Sequence, residues 1–364
     1  MTCYLDSAAT TQPKFFAKDY NQMWFNSNTN YAFTEQRMLE GARETIKECL
    51  GVKTGKVLFC RCATEAVEWL CRKIHHYSNW GDEIIFYSPY EHDSVVQASE
   101  VATDAKEKKI NEQPQDVDDN LREGDIYLHQ YVNQLTGTIF DIESIGKQVQ
   151  STGAYFGSDF TAAIGHTPLL KNLDTFCDAV WFSGHKFNCE KGIGAIWISD
   201  RLFELFGGKE DSKNEYGLIH GTVNVASAIA MSCAMKDACE NVEENNDKYN
   251  ELVWHFCSEM VKYRYAFKFA NKGSCLDFTC AINSIILPEI NADALQVYLA
   301  SKGIYISIGA SACADTEDRY RVLESFGLTN EECESTIRIS FCENTNYDDI
   351  DNLVREIKNF KEMF

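Results

Sequence analysis

A lysine becomes a nucleophile when it loses hydration, and the surroundings of Lys186 point that way. In Trp181-Phe-Ser-Gly-His-Lys186-Phe-Asn-Cys-Glu-Lys-Gly-Ile-Gly194 an aromatic β run ends in Ser-Gly-His-Lys, and Gly-Ile-Gly opens another apolar run. A lysine held in a tight turn between two buried strands has its pKa lowered. The neutral amine is what Schiff-base chemistry with a carbonyl cofactor requires. Most lysines lie in surface loops, but Ser183, His185 and the flanking glycines fit that alternative poorly. Upstream, Ala154-Tyr-Phe-Gly-Ser-Asp159 ends an apolar strand in an acid. Such a carboxylate is costly unless it meets a cation, although a strand-end Asp is more often a helix cap. Arg61-Cys-Ala63-Thr64-Glu65 joins a strand to a helix. Thr64 reads as an N-cap, and the exposed amides there suit a phosphate, although capping alone would explain the residues.

These residues need elements to position them. Strands are expected at Lys56–Cys60, Glu83–Tyr87, Asp125–Tyr131, Ala154–Ser158, Ala179–Phe182 and Ala195–Ser199, with helices at Ala63–Ile74 and Ile142–Ser151. Short apolar β runs divided by helices argue for an α/β layer with a largely parallel sheet. The last two runs are close together and are read as an antiparallel edge. Val223 to about Met260 turns long and helical, with a division of the chain near residue 245 inside it. Strands return at Leu276–Leu287, Ile304–Ile308 and Ile337–Phe341, before a terminal helix from Tyr347.

Composition narrows the function. The 364 residues carry a net charge of −21, which repels phosphate backbones and argues against direct nucleic-acid binding. A basic protein partner suits such a charge. The first residues have neither the basic nor the apolar region of an export signal, and no apolar run approaches the roughly 20 residues that span a bilayer. The expectation is a cytoplasmic chain off the membrane, its 15 cysteines mostly free thiols. No Cys-x-x-Cys occurs, so zinc-ribbon and thioredoxin chemistry lose their strongest signature. Cys60 and Cys62 are expected on one strand face as small buried hydrophobes, and no metal is expected.

The ring nitrogen of pyridoxal phosphate is one cation that would suit Asp159, since a carboxylate keeps it protonated and makes the ring an electron sink. Further blocks then fall in order: Tyr4-Leu-Asp-Ser-Ala-Ala-Thr-Thr11, Ala63-Thr64-Glu65, Glu91-His92, Ser183-Gly-His-Lys186, Ser311-Ala-Cys313 and Ser335-Thr-Ile-Arg338-Ile-Ser. Together they resemble the cysteine desulfurases of the NifS/IscS-like group, within the class V aminotransferases. The resemblance spans nearly the whole chain. Ser-Gly-His-Lys is specific for the cofactor, and Ser-Ala-Cys with its downstream arginine points to desulfuration. The implied architecture is the pyridoxal-phosphate-dependent transferase fold type I. Its large domain, 12–245, has a mostly parallel sheet between helices. A smaller α+β domain, 1–11 and 246–364, carries the catalytic-cysteine loop.

By that resemblance Lys186 carries pyridoxal 5'-phosphate, Asp159 meets its ring nitrogen, and His92 stacks on the ring and shuttles protons. Ala63 and Thr64 form the phosphate turn, and Thr64, Ser183 and His185 hold the phosphate. Thr222 reaches the phosphate of the neighbouring subunit, which makes a homodimer part of the expectation. Arg338 receives the carboxylate of L-cysteine, and Cys313 takes its sulfur as a persulfide for an acceptor protein. Three positions depart from the pattern. Gln134 stands where the group has Asn beside the ring, 25 residues before Asp159 as in the group. Ala162 stands where it has Gln near the phenolic oxygen, and Ile219 where it has Arg. Asn133 or Gln134 is then left to compensate, near cofactor and substrate. Housekeeping members of the group serve iron–sulfur assembly and RNA thiolation, whereas these departures suggest a divergent, dedicated relative, one such role being sulfur supply for DNA phosphorothioate modification through partner proteins. Two alternatives remain: another class V lyase or transaminase, which needs no Cys313, and a non-catalytic scaffold.

Overall fold

The computed structural model describes residues 3–23, 25–77, 84–102, 120–212, 215–271, 277–309 and 319–363. They form two compact units: Gln12–Tyr131 with Phe140–Asn241, and Met1–Thr11 with Val132–Ile139 and Val242–Phe364. Where the sequence suggests one long helix and a division near 245, there are two helices, Val225–Glu240 and Val242–Lys262. The units divide between them, at Asn241, and Val132–Ile139 groups with the smaller unit.

The strands in chain order are β1 (Cys3–Tyr4), β2 (Lys56–Cys60), β3 (Ile85–Tyr87), β4 (Ile126–Leu128), β5 (Tyr155–Asp159), β6 (Ala179–Ser183), β7 (Gly194–Ile198), β8 (Lys268–Phe269), β9 (Ile282–Ile286), β10 (Ile304–Tyr305), β11 (Ser307–Ile308) and β12 (Thr336–Ser340). The larger unit holds a six-stranded sheet in the order β2-β7-β6-β5-β4-β3. β3 to β6 are mutually parallel, and β7 is antiparallel to both β6 and β2. The β6–β7 antiparallel pairing expected from sequence is present, but β7 is interior and β2 takes the edge. Every residue of β6 and β7 is buried, the continuous apolar pattern of a sheet covered on both faces. One cover is the helix Ala63–Tyr77. It buries Ala63, Ala66, Val67, Leu70, Cys71 and Ile74, a stripe at helical spacing.

An edge strand exposes unpaired backbone groups, and here two side chains close it. Glu215 Oε2 accepts the Phe59 N–H at 2.9 Å, and the Arg43 guanidinium donates to the Val57 carbonyl. The two side chains also pair with each other, Arg43 Nη2 to Glu215 Oε1 at 2.7 Å, with only 4% and 2% of their surfaces exposed. Glu215 and Tyr216 hold left-handed φ angles of 42° and 55°, strain that this pairing sustains. Glu215→Ala removes the acceptor of the buried Phe59 N–H and the buried charge partner of Arg43, whose guanidinium keeps only the Val57 carbonyl and the exposed Glu40 as acceptors. It should lower unfolding stability by about 3–5 kcal/mol in a denaturant titration. An unchanged midpoint would contradict the clamp.

In the smaller unit, β11-β12-β9-β8 form an antiparallel sheet and β1 pairs with β10 in parallel. The helix Tyr347–Lys361 opens with a capping box between Asn346 and Asp349. The run read as one strand from Ile304 to Ile308 is divided between β10 and β11, which join different sheets. The cysteines among the described residues are free thiols. Cys60 ends β2, whereas Cys62 lies in the following turn and its carbonyl accepts from Cys60 Sγ at 3.2 Å. The two thus share no strand face.

Candidate active site

Because β3, β5 and β6 are parallel, the loops leaving their carboxyl ends emerge on one edge of the sheet, where open α/β sheets bind ligands. The double antiparallel step through β7 turns β2 the same way. Its last residue, Cys60, pairs with Gly194, and Ser183 pairs with Gly194 from the other side. A Cβ on Gly194 would lie 2.8 Å from the Cys62 backbone. Only glycine lets the turn after β2 close over this edge. Four loops of the larger unit converge there: Arg61–Thr64, Glu91–His92, Asp159–Thr161 and Ser183–Lys186.

Lys186 ends a short 3-10 turn, Gly184–Lys186, that follows β6 directly. Gly184 donates its N–H to the Ile193 carbonyl at 3.0 Å, and its own carbonyl accepts from Phe187 and Cys189, each at 3.1 Å. The lysine therefore sits in the tight turn between β6 and β7 that its sequence context called for. Ser183 is buried, and its Oγ has no hydrogen-bond partner. His185 is half-buried, and burial, with the charges of Lys186 and Lys191, pushes its pKa down to about 4.

Asp159 closes β5 and is buried. Its Oδ1 accepts the Thr161 N–H at 2.7 Å. Burial raises its pKa, opposed by Thr161 and by the nearby His92. Burial disfavours the charged carboxylate, and a neighbouring cation favours it. His92 Nδ1 accepts the Ser94 N–H at 3.1 Å, so the neutral ring carries its proton on Nε2.

The phosphate turn differs in detail from expectation. Glu65 accepts the Arg61 N–H at 2.5 Å, and the first helical bond runs from Ala66 N–H to the Cys62 carbonyl at 3.1 Å. The helix thus begins at Ala63, and Thr64 lies exposed in its first turn rather than capping it. The amides of Ala63 and Thr64 still precede the first helical bond. Thr222 is exposed on the larger unit, where its Oγ1 accepts from Asn26 at 3.3 Å.

The smaller unit holds the remaining described candidates. Arg338 lies buried in the middle of β12. Its Nη2 donates to Asp6 Oδ1 at 2.6 Å and to Ser307 Oγ at 2.9 Å, and its Nη1 to the Gln134 carbonyl at 3.0 Å. Its Nε has no partner. Gln134 is thus brought to Arg338 through its backbone. Asn133 Oδ1 accepts from the N–H groups of Leu135 and Thr136 and from the Thr136 hydroxyl at 2.9–3.1 Å, which organises the turn. Cys313 lies outside the described residues.

Two contributors escaped the sequence. Asp6 stands inside a motif noticed for its resemblance, but nothing local tied it to Arg338. His166 is buried, its Nδ1 3.1 Å from the Ala162 carbonyl. Burial holds its pKa near 4, and the charge of Lys186 acts in the same direction.

The doubly wound sheet thus gathers a turn-held lysine, a buried carboxylate and a helix start at its carboxyl edge. The aminotransferase class-V family matches residues 3–353, and the chain belongs to that family. It is 24% identical to the cysteine desulfurase IscS of Methanosarcina thermophila over 97% of this chain and 90% of that one. It is 25% identical to the cysteine desulfurase IscS of Dictyoglomus turgidum over 93% and 89%. Among solved structures, a NifS-like protein from Rickettsia africae superposes with a TM-score of 0.83 at 22% identity, covering all of both chains.

The family is pyridoxal-phosphate-dependent, and the residues present fit that cofactor. The buried Ser183 hydroxyl lacks a partner that a phosphate oxygen supplies, beside a helix start whose amides suit an anion. A protonated ring nitrogen offers the buried Asp159 a cationic partner. When bound, the cofactor's ring draws electrons from the substrate's Cα and so makes its proton acidic.

Proposed function

We propose that this chain is a cysteine desulfurase: it takes L-cysteine, releases L-alanine and leaves the sulfur as a persulfide on Cys313. The convergence of the Lys186 turn, Asp159 and the Ala63–Thr64 helix start on one sheet edge carries the reading. The IscS relatives, similar over nearly their full length, support the choice of substrate. Lys186 anchors the cofactor through Nζ and then, as a free amine, takes the proton from the substrate's Cα. Asp159 fixes the ring nitrogen. Ser183, His185, Ala63 and Thr64 hold the phosphate, with Thr222 contributed to a second subunit of a homodimer. His92 stacks on the ring and carries a proton at Nε2. Gln134 lies beside the ring and, with Asn133, near the substrate. The Cys313 thiolate attacks the substrate sulfur. The C–S bond breaks as an S–S bond forms; the proton given up by the Cys313 thiol goes to the substrate's Cβ, and the proton held by Lys186 returns to Cα, giving alanine. A sulfur-acceptor protein then receives the persulfide in the cytoplasm. Among the described residues no helix is long and apolar enough to cross a membrane.

Arg338 binds the cysteine carboxylate through its fork, a geometry that lysine lacks. The unpartnered Nε and the Nη1 hydrogen not given to the Gln134 carbonyl leave it donors for the carboxylate. Purified protein with cysteine and a thiol reductant should form alanine and sulfide in equal amounts. Arg338→Lys should raise KM for cysteine about tenfold or more, the worth of one charge-assisted hydrogen bond of ~1.5–3 kcal/mol. A normal KM would count against the role, and absence of both products in the parent protein would overturn the reading.

A further inference from the structure

The terminal helix Tyr347–Lys361 packs along Val242–Lys262 within the smaller unit. His255 and Glu259 are four residues apart on the latter helix, and therefore on one face. Asp351 meets them from the terminal helix. One ligand atom from each of the three lies within 4.8 Å of the other two. His255 Nε2 is 2.7 Å from Asp351 Oδ1. None of the three has a part in the reaction above. We propose that His255, Glu259 and Asp351 form a binding site for a divalent first-row transition metal that ties the two helices together.

The donor set favours such an ion. One imidazole nitrogen and two carboxylates supply mixed N/O ligation with two negative charges, which suits Mn²⁺ or Zn²⁺. Bonds of about 2.0–2.2 Å place neighbouring ligand atoms roughly 3.3 Å apart, within the span the three atoms already occupy. All three side chains are partly exposed, at 28%, 18% and 49%, so water can complete the coordination. The Tyr347 ring stands edge-on to His255, 4.9 Å between centroids, and its hydroxyl is held by Glu251 at 2.9 Å. The imidazole is thus confined to an orientation toward the acids. Lys262 currently pairs with Glu259 at 3.0 Å but is 64% exposed. It can swing into water when an ion takes its place. Without a metal, the same residues are two partly exposed ion pairs of little energetic worth.

Zinc also seeks thiols, and this chain has 15 cysteines, so Mn²⁺ is the cleaner probe. Full-length, cofactor-loaded protein, freed of metals by a chelator, is titrated with MnCl₂ while the electron paramagnetic resonance signal of free Mn²⁺ is followed. The proposal expects one saturable equivalent. His255→Ala and Asp351→Asn should each weaken binding about tenfold or more, since even supporting residues of metal sites carry 10–100-fold. MnCl₂ should raise the melting temperature of the parent protein and not of these variants. Absence of saturable binding, or parental affinity in both variants, overturns it.

Discussion

Lys186→Ala should abolish turnover and the yellow colour of the cofactor-loaded protein. Loss of the proton-transferring amine alone costs about 10²–10⁴-fold, and loss of the anchor adds to it. The turn itself should survive, because Gly184, Phe187, Cys189 and Ile193 close it through backbone bonds. An unchanged unfolding midpoint therefore separates loss of chemistry from loss of fold. The check is absorbance before and after borohydride, with alanine release measured in parallel. Colour that borohydride still fixes covalently to the variant would remove Lys186 from its role.

Much of the larger unit's site was legible because its signals are local. Ser183-Gly-His-Lys186 lies between two fully apolar runs, and those runs became β6 and β7. Asp159 ends its own strand. What was not legible depends on residues far apart in sequence. The order of strands is one case: nothing in Ala195–Ser199 says that β2 adds on its far side, and so the edge was assigned to the wrong strand. The Arg338–Asp6 pair is another, joining residues 332 positions apart. Thr64 failed differently. Its residue type suits a cap, but with Glu65 reaching back to Arg61 the helix starts two residues too early for Thr64 to serve. Asn133 shows the converse, a polar residue in the right neighbourhood whose oxygen is occupied by its own turn.

The second large effect concerns Cys313. Cys313→Ser should retain cofactor and still bind cysteine, since neither step uses the thiol. Sulfide release should fall to background, and alanine formation should fall with it. A serine hydroxyl is a far poorer acceptor of sulfur than a thiolate, which is the competent nucleophile. Full activity in this variant would favour a lyase or transaminase of the same family over a desulfurase.

The persulfide itself is the most direct measure of the account. Parent protein is given L-cysteine without reductant, thiols are alkylated, and the peptide containing Cys313 is examined by mass spectrometry. The account predicts one additional sulfur atom on that peptide, formed in step with alanine and absent from Lys186→Ala. Additional sulfur on a different cysteine, or alanine formed with no cysteine gaining sulfur, would contradict it.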